Sequence, residues 1–202
     1  MIIPREPFDY TQGYSHERSR VGLRRDYTQA SQVSKSYLLG LLHDATTRPT
    51  TYRIATKSKV FADFLVKEIK KLKVSAWNYK EGKARNLWIV EFSKSLLKNV
   101  EIDSKKDKID YIRGYFDAEG GMAKSPKVRF YLSFGQKNFK DLLEVRNYLE
   151  ELKINCGRIH NPSKRVDPNY WRFFVRSNSY QKFARIVGSS HPDKIAILRM
   201  KI

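Results

Sequence analysis

The chain has 202 residues, 41% hydrophobic and 13% aromatic, enough to bury one substantial core or two small fused ones. Forty Lys and Arg stand against twenty-one Asp and Glu, and the net charge of +19 is spread along the chain rather than held in a tail, so a polyanion is the expected partner. A single cysteine, Cys156, excludes an intrachain disulfide and a cysteine-based zinc site. Its apolar neighbours Leu152 and Ile154 predict a small buried hydrophobe. No apolar run approaches the roughly 20 residues that span a bilayer, and the opening Met1-Ile-Ile-Pro-Arg-Glu-Pro lacks the core of a secretion signal. The expectation is a soluble, intracellular, cytoplasmic protein with no membrane partner.

Taken in order, residues 1–33 form a polar extension with Arg18, Arg20, Arg24 and Arg25, read either as a solvated segment or as an arm that touches phosphates. Ser34 is a suitable N-cap for a helix over Lys35–Asp44, an apolar run with Gly40 at its centre and an acid at its end. A hairpin turning at Arg48-Pro49 follows, then a helix over Ser58–Leu72 carrying Phe61, Phe64, Leu65, Ile69 and Leu72 on one face. Strands are predicted around Val74–Tyr79 and Asn86–Phe92, joined at Glu81-Gly82-Lys83, with a short helix at Lys94–Leu97. Ser104–Asp107 reads as a charged linker.

A second helix then runs to Glu119, with Ile109, Ile112, Tyr115 and Phe116 at helical spacing, Gly114 among them, and Gly120-Gly121 as the stop. After it come a hairpin turning at Ser125-Pro126, a helix over Asn138–Leu152, strands around Cys156–His160 and Tyr170–Arg176, a helix over Ser179–Val187, and a helical tail beyond His191-Pro192. The two halves are alike. Each has a glycine-centred helix ending in an acid, then a hairpin whose second strand closes on Lys57 or Lys137, then an amphipathic helix, which argues for an internal duplication. The predicted fold class is α+β, two pseudo-symmetric α-β-β-α-β-β-α repeats, with repeat one over 34–103 and repeat two over 104–202.

Asp44 and Glu119 lie at helix C-termini, where the helix dipole makes an acid unfavourable by a few tenths of a kcal/mol to about 1 kcal/mol unless a cation or donor compensates. A metal is one such cation. Asp117, two residues before Glu119, points elsewhere on the helix and reads as a capping or surface acid. His43 reads as an exposed polar residue at a helix end.

Tyr37-Leu-Leu-Gly-Leu-Leu-His-Asp-Ala45 and Tyr111-Ile-Arg-Gly-Tyr-Phe-Asp-Ala-Glu-Gly-Gly121, with the repeat that follows each, resemble the LAGLIDADG homing endonucleases in their single-chain, two-motif form. The resemblance covers Ser34 to the C-terminus. It implies two motif helices packed at a pseudo-twofold axis, two curved antiparallel sheets forming a saddle on DNA, and one acid from each helix at a shared Mg²⁺ or Mn²⁺ site. On that pattern Glu119 is the second acid. In the first motif the usual acid position holds Ala45 and Asp44 comes one residue early, either through a one-residue deletion that keeps Asp44 at the metal or through loss of the first acid; the deletion is the favoured reading.

The resemblance further implies that Lys57 and Lys137, with Gln136, approach the active site, Thr56 standing where the other half has Gln136. Base and phosphate contacts are expected from Arg48, Tyr52 and Arg53 in the first half and from Lys124, Lys127, Arg129 and Tyr131 in the second, with Lys164, Arg165, Arg172 and Arg176 as further phosphate contacts. About half of the strand residues can face DNA in an alternating strand. The expected protein is a monomeric, metal-dependent, site-specific double-strand DNA endonuclease. The alternatives are a splicing maturase that binds intron RNA and a DNA-binding regulator with a degenerate site.

Overall fold

A computed structural model of the chain describes residues 33–82, 85–125 and 127–202. The readings of the N-terminal extension up to residue 32, of Lys83 in the first-half turn and of Pro126 at the second hairpin lie outside the described residues.

Each main helix begins where a short polar side chain can satisfy its free amides. Ser34 Oγ accepts from Tyr37 N at 3.1 Å to start α1 (Lys35–Leu41), which tightens into a 3-10 turn over Leu42–Asp44. Ser58 caps α2 (Lys59–Lys71) and Asn138 caps α4 (Phe139–Glu151). Ser104–Asp107, expected as a linker, is the capping box of α3 (Lys105–Glu119): Ser104 Oγ accepts from Asp107 N at 3.0 Å and Asp107 Oδ2 accepts from Ser104 N at 3.2 Å. Of the charges there, Asp107 serves the helix start, while Lys106 pairs with Asp110 one turn on. Asp107 also accepts from Ser36 Oγ at 2.8 Å, pinning the start of α1 beside that of α3.

In the first half, β1 (Ala45–Thr47), β2 (Thr51–Thr56), β3 (Ala76–Lys80) and β4 (Trp88–Ser93) form an antiparallel sheet in the order β1-β2-β4-β3. A 3-10 turn follows at Lys94–Leu97. The second half repeats this with β5 (Gly120–Met122), β6 (Leu132–Gln136) and β7 (Trp171–Phe174). Its fourth strand, expected at Cys156–His160, survives only as two bridges, Cys156 to Val175 and His160 to Arg172. Between them one chain advances four residues and the other three, so an extra residue is bulged out and the ladder cannot stay regular. A 3-10 turn at Ser177–Ser179, α5 (Tyr180–Ile186) and α6 (Pro192–Lys201) complete the chain.

Each sheet covers its own core. Leu38, Leu41, Ile54, Phe61, Leu65, Ile69, Val90 and Phe92 pack in the first half. Ile112, Phe116, Phe134, Leu149, Phe173 and Phe183 pack in the second, with Cys156 buried among them as expected. Between the cores, α1 and α3 meet at their glycines. A Cβ on Gly40 would lie 2.0 Å from the Tyr111 carbonyl oxygen, and one on Gly114 would lie 1.9 Å from that of Tyr37. The two contacts are the same contact seen from either side, since Tyr37 and Gly40 each correspond to the residue 74 further on. That offset fixes the register between the motifs from backbone packing alone.

Candidate active site and nucleic-acid face

The glycine register places His43 opposite Asp117, Asp44 opposite Ala118 and Ala45 opposite Glu119. Two side-chain bonds obey it. Tyr37 Oη donates to Asp117 Oδ2 at 2.7 Å, and the corresponding Tyr111 hydroxyl meets His43 Nε2 at 2.7 Å. His43 is therefore not the exposed residue expected of it: its side chain is 16% exposed, it packs on the Tyr115 ring at 4.5 Å, and Asp141 Oδ2 lies 3.4 Å from Nδ1. Burial pushes its pKa below the usual histidine value, with Asp141 and Glu144 opposing. Asp117 is likewise no surface acid. It is 6% exposed, accepting from Tyr37, from Ser190 N at 2.8 Å and from the Ser189 hydroxyl.

The acid one residue early in the first motif is brought round by the winding of the chain. From Tyr115 to Glu119 four α-helical steps turn about 400° and climb about 6 Å, whereas from Leu41 to Asp44 three 3-10 steps turn about 360° and climb about 6 Å. The 3-10 turn at Leu42–Asp44 thus lifts Asp44 to the height of Glu119's counterpart and to within about 40° of its direction. The two acids are close enough to act on each other. Glu119 has its pKa raised to about 7, first by burial and then by the charge of Asp44, with the Gln136 amide and Lys194 opposing. Asp44 is solvent-exposed, and its pKa is raised by partial loss of water and lowered by Lys194.

Gln136 joins the two motifs. Its Nε2 donates to Glu119 Oε1 at 3.2 Å and to the His43 carbonyl at 3.3 Å, while its Oε1 accepts from Lys137 N at 2.6 Å. Lys137 itself turns away: its ammonium lies 3.5 Å from Asp167 and its side chain is 72% exposed. Lys57 is exposed and lines a pocket of about 400 Å³ together with Asp44, Thr56, Gly120, Lys124 and Lys194. Lys124 is thus placed at the site as well as on the hairpin.

Lys194, which sequence reasoning missed, reaches the end of α3 from α6. Its ammonium donates to the carbonyls of Phe116, of Asp117 at 3.1 Å and of Gly120 at 2.8 Å. The dipole argument called for a cation at this helix end; a distant lysine supplies one. Burial lowers its pKa to about 8 against the pull of Asp117 and Glu119. No group of three or more His, Cys, Asp or Glu placed to hold a metal occurs among the described residues. A divalent ion here would rest on Asp44 and Glu119, two hard oxygen donors whose mutual repulsion a cation relieves, and on water or substrate oxygens. That donor set fits such an ion.

On the open faces of the sheets the candidates divide. Tyr52 alternates with the wrong set: it packs with Phe92 beneath the sheet, ring centroids 5.7 Å apart, on the side of buried Ile54. Arg53, on the open face, is 18% exposed and held by Glu81, by Tyr79 Oη at 3.4 Å and by buried Glu91 at 3.9 Å. Arg48 is half-exposed, 3.6 Å from Glu91. In the second half Tyr131 and Arg172 lie on the open face, Tyr131 against Phe174 at 5.9 Å and Arg172 against the Tyr170 hydroxyl at 3.1 Å. Arg176 is exposed, its Nε donating to the Cys156 carbonyl at 3.3 Å. Lys127 and Arg129 are exposed on the irregular stretch before β6, and Lys164 and Arg165 on the loop closed by Asn161. Six of these basic side chains are thus open to solvent at the rim, while Arg53 is tied down.

Residues 106–188 match the model of the LAGLIDADG-like domain. Among solved structures the chain is similar to I-DmoI in complex with DNA and Mn, at 23% identity and a TM-score of 0.58, with 80% of this chain and 99% of that one covered. It is also similar to the N-terminal LAGLIDADG domain of DUF199/WhiA, at 16% identity and a TM-score of 0.63, with 86% and 92% covered. Full-length DUF199/WhiA from Thermatoga maritima matches at 17% identity and a TM-score of 0.62, with 86% of this chain and 61% of that one covered. No curated protein sequence matches. At these identities the likeness carries the fold and leaves the chemistry to the site. Residues 106–188 carry the likeness to a LAGLIDADG-like domain, and the chain as a whole has the fold seen in I-DmoI and in the N-terminal LAGLIDADG domain of DUF199/WhiA.

Proposed function

We propose that the chain is a site-specific DNA endonuclease that hydrolyses phosphodiesters with a divalent ion held between Asp44 and Glu119. The observation that carries the reading is the convergence of these acids, one from each motif helix, with the 3-10 turn making good the missing residue of the first motif. When bound, Mg²⁺ or Mn²⁺ supplies the acidity that converts water to hydroxide and the charge that steadies the phosphoryl oxygens. Gln136 aims the Glu119 carboxylate and ties it to the first motif. Lys57 and Lys124, exposed beside Asp44, offer cations to the phosphates of the strand to be cut. Lys127, Arg129, Lys164, Arg165, Arg172 and Arg176 extend the positive rim along the backbone, and in the first half Arg48 is the cation left to reach base edges, since Arg53 is held by Glu81 and Glu91. The net charge of +19 suits this partner. Of the similar structures, I-DmoI is a homing endonuclease seen in complex with DNA and with Mn or Ca, which supports DNA and a divalent ion as ligands. Both acids come from one chain, so a monomer suffices, built of repeats 34–103 and 104–202.

A second reading, a DNA-binding protein that does not cut, rests on Ala45 occupying the position opposite Glu119. One experiment separates the two: incubation of a randomised duplex library with Mg²⁺ and with Ca²⁺, using the unmodified chain, Asp44→Asn and Glu119→Gln. Cleavage in Mg²⁺ that both substitutions abolish, with binding in Ca²⁺ retained, upholds the endonuclease. Selection of a sequence that is never cut gives the second reading, and preference for a structured intron RNA over every duplex points to the maturase instead.

A further inference from the structure

Among the described residues, Lys194 is the one buried cation at the site whose work the chemistry above does not use. An ammonium has three donors. All three are taken by the carbonyls of Phe116 and Asp117 in the last turn of α3 and of Gly120, the residue that follows it, and the group lies 4.8 Å from the centre of the Phe116 ring. It therefore has no donor left for a phosphate. Its tether is firm on both sides: Asp117 accepts from Ser189 and Ser190, just before α6, and the His191 ring packs on Phe61 of the first half at 4.4 Å. Pro192 at the first position of α6 then fixes the direction in which Lys194 departs.

We propose that Lys194 is a positioning residue for the paired acids. Its ammonium clamps the last turn of α3, and with it the direction of Glu119, while its charge serves as the protein's own counter-ion to Asp44 and Glu119. The C-terminal helix is on this account part of the active site, supplying across the chain the cation that the dipole of α3 demands. The proposal rests on Asp44 and Glu119 being the acids of one metal site.

The test uses the full chain with Lys194→Met, which removes charge and donors, and Lys194→Gln, which keeps two of the three donors and removes charge. Amide hydrogen exchange at Gly120, Gly121 and Met122 reports the clamp, Tb³⁺ luminescence reports divalent-site affinity, and Mg²⁺-dependent cleavage is read as kcat and KM. In Lys194→Met, exchange at the three amides is expected to accelerate tenfold or more and kcat to fall tenfold or more, with KM for the duplex changed less than twofold. In Lys194→Gln, exchange stays within threefold of the unmodified chain, and Tb³⁺ binds about fivefold more tightly once the repelling charge is gone. Unchanged exchange in Lys194→Met, or unchanged or weaker Tb³⁺ affinity in Lys194→Gln, overturns the proposal. If Lys194→Met does not fold, the Tb³⁺ result in Lys194→Gln decides. If the unmodified chain cuts nothing, the endonuclease reading fails while exchange and Tb³⁺ still decide the role of Lys194.

Discussion

Glu119→Gln should make the metal-free protein more stable as the pH rises, an outcome opposite to that of removing an ordinary surface acid. Glu119 moves from a usual glutamate value of 4.5 to about 7 because it is removed from water and faces Asp44. An acid whose pKa is raised by folding favours the folded state fully below its unfolded value, and that contribution is lost as the pH climbs through the folded one. At 1.36 kcal/mol per pH unit the whole effect is about 3 kcal/mol. Partial exposure of the side chain screens some of it, leaving about 2 kcal/mol between pH 5 and pH 8. Glutamine keeps the oxygen that accepts from Gln136 and carries no charge at any pH. In thermal melts with EDTA, the variant should lie close to the unmodified chain at pH 5 and exceed it at pH 8 by about 4–8 °C. Divalent ions should close the gap by stabilising the unmodified chain alone. Parallel stability profiles across this range would refute the argument, because they would mean that Glu119 ionises at no cost beside Asp44.

Three further outcomes follow from the packing. Gly114→Ala forces a Cβ to within 1.9 Å of the Tyr37 carbonyl oxygen, so α1 and α3 must part; a loss of about 4 kcal/mol or more, or no folded protein at all, is expected by circular dichroism and urea melts. Tyr37→Phe removes one of the donors to buried Asp117 and should destabilise by about 1–3 kcal/mol in the same melts, whereas a change under 0.5 kcal/mol would show that Ser189 and Ser190 suffice. Lys153 holds φ 59° as the residue after Leu152, the C-cap of α4, with Ile154 N donating to the Leu149 carbonyl, so Lys153→Gly should stabilise by about 0.5–1 kcal/mol, read as a higher urea midpoint.

The helices were legible because their ends carry chemistry in single residues. Ser34 caps as expected, Ser58 and Asn138 cap at the positions where helices were predicted to begin, and the glycines Gly40 and Gly114 announced a close helix crossing. What was hidden depended on long-range pairing or on winding. Ser104 and Asp107 looked like charged filler because the reciprocal bonding of a capping box is not visible in composition. His43 looked exposed because its partners, Tyr111 and Asp141, lie about 70 and 100 residues away in sequence. Tyr52 could not be assigned to a sheet face without the register to Phe92. The irregular edge at Cys156–His160 required the bulge to be counted against its partner. Lys194 was the instructive omission: the electrostatic need at the end of Glu119's helix was derived, but a cation from the far end of the chain is not foreshadowed by any local pattern.

The tightened turn at Leu42–Asp44 bears on how such proteins are counted. A helix end behaves like a vernier: a deletion that would swing every following side chain away in mid-helix can be absorbed there by a change of pitch, because only the terminal residue has to arrive. A search that demands an acid at fixed spacing from the glycine passes over the first repeat, where that position is Ala45. On the endonuclease reading proposed above, the tightened turn is what carries Asp44 to the height of Glu119. If Asp44 proves to be the first acid, tallies of inactive members drawn from motif spacing will include chains whose geometry has been restored by one overwound turn.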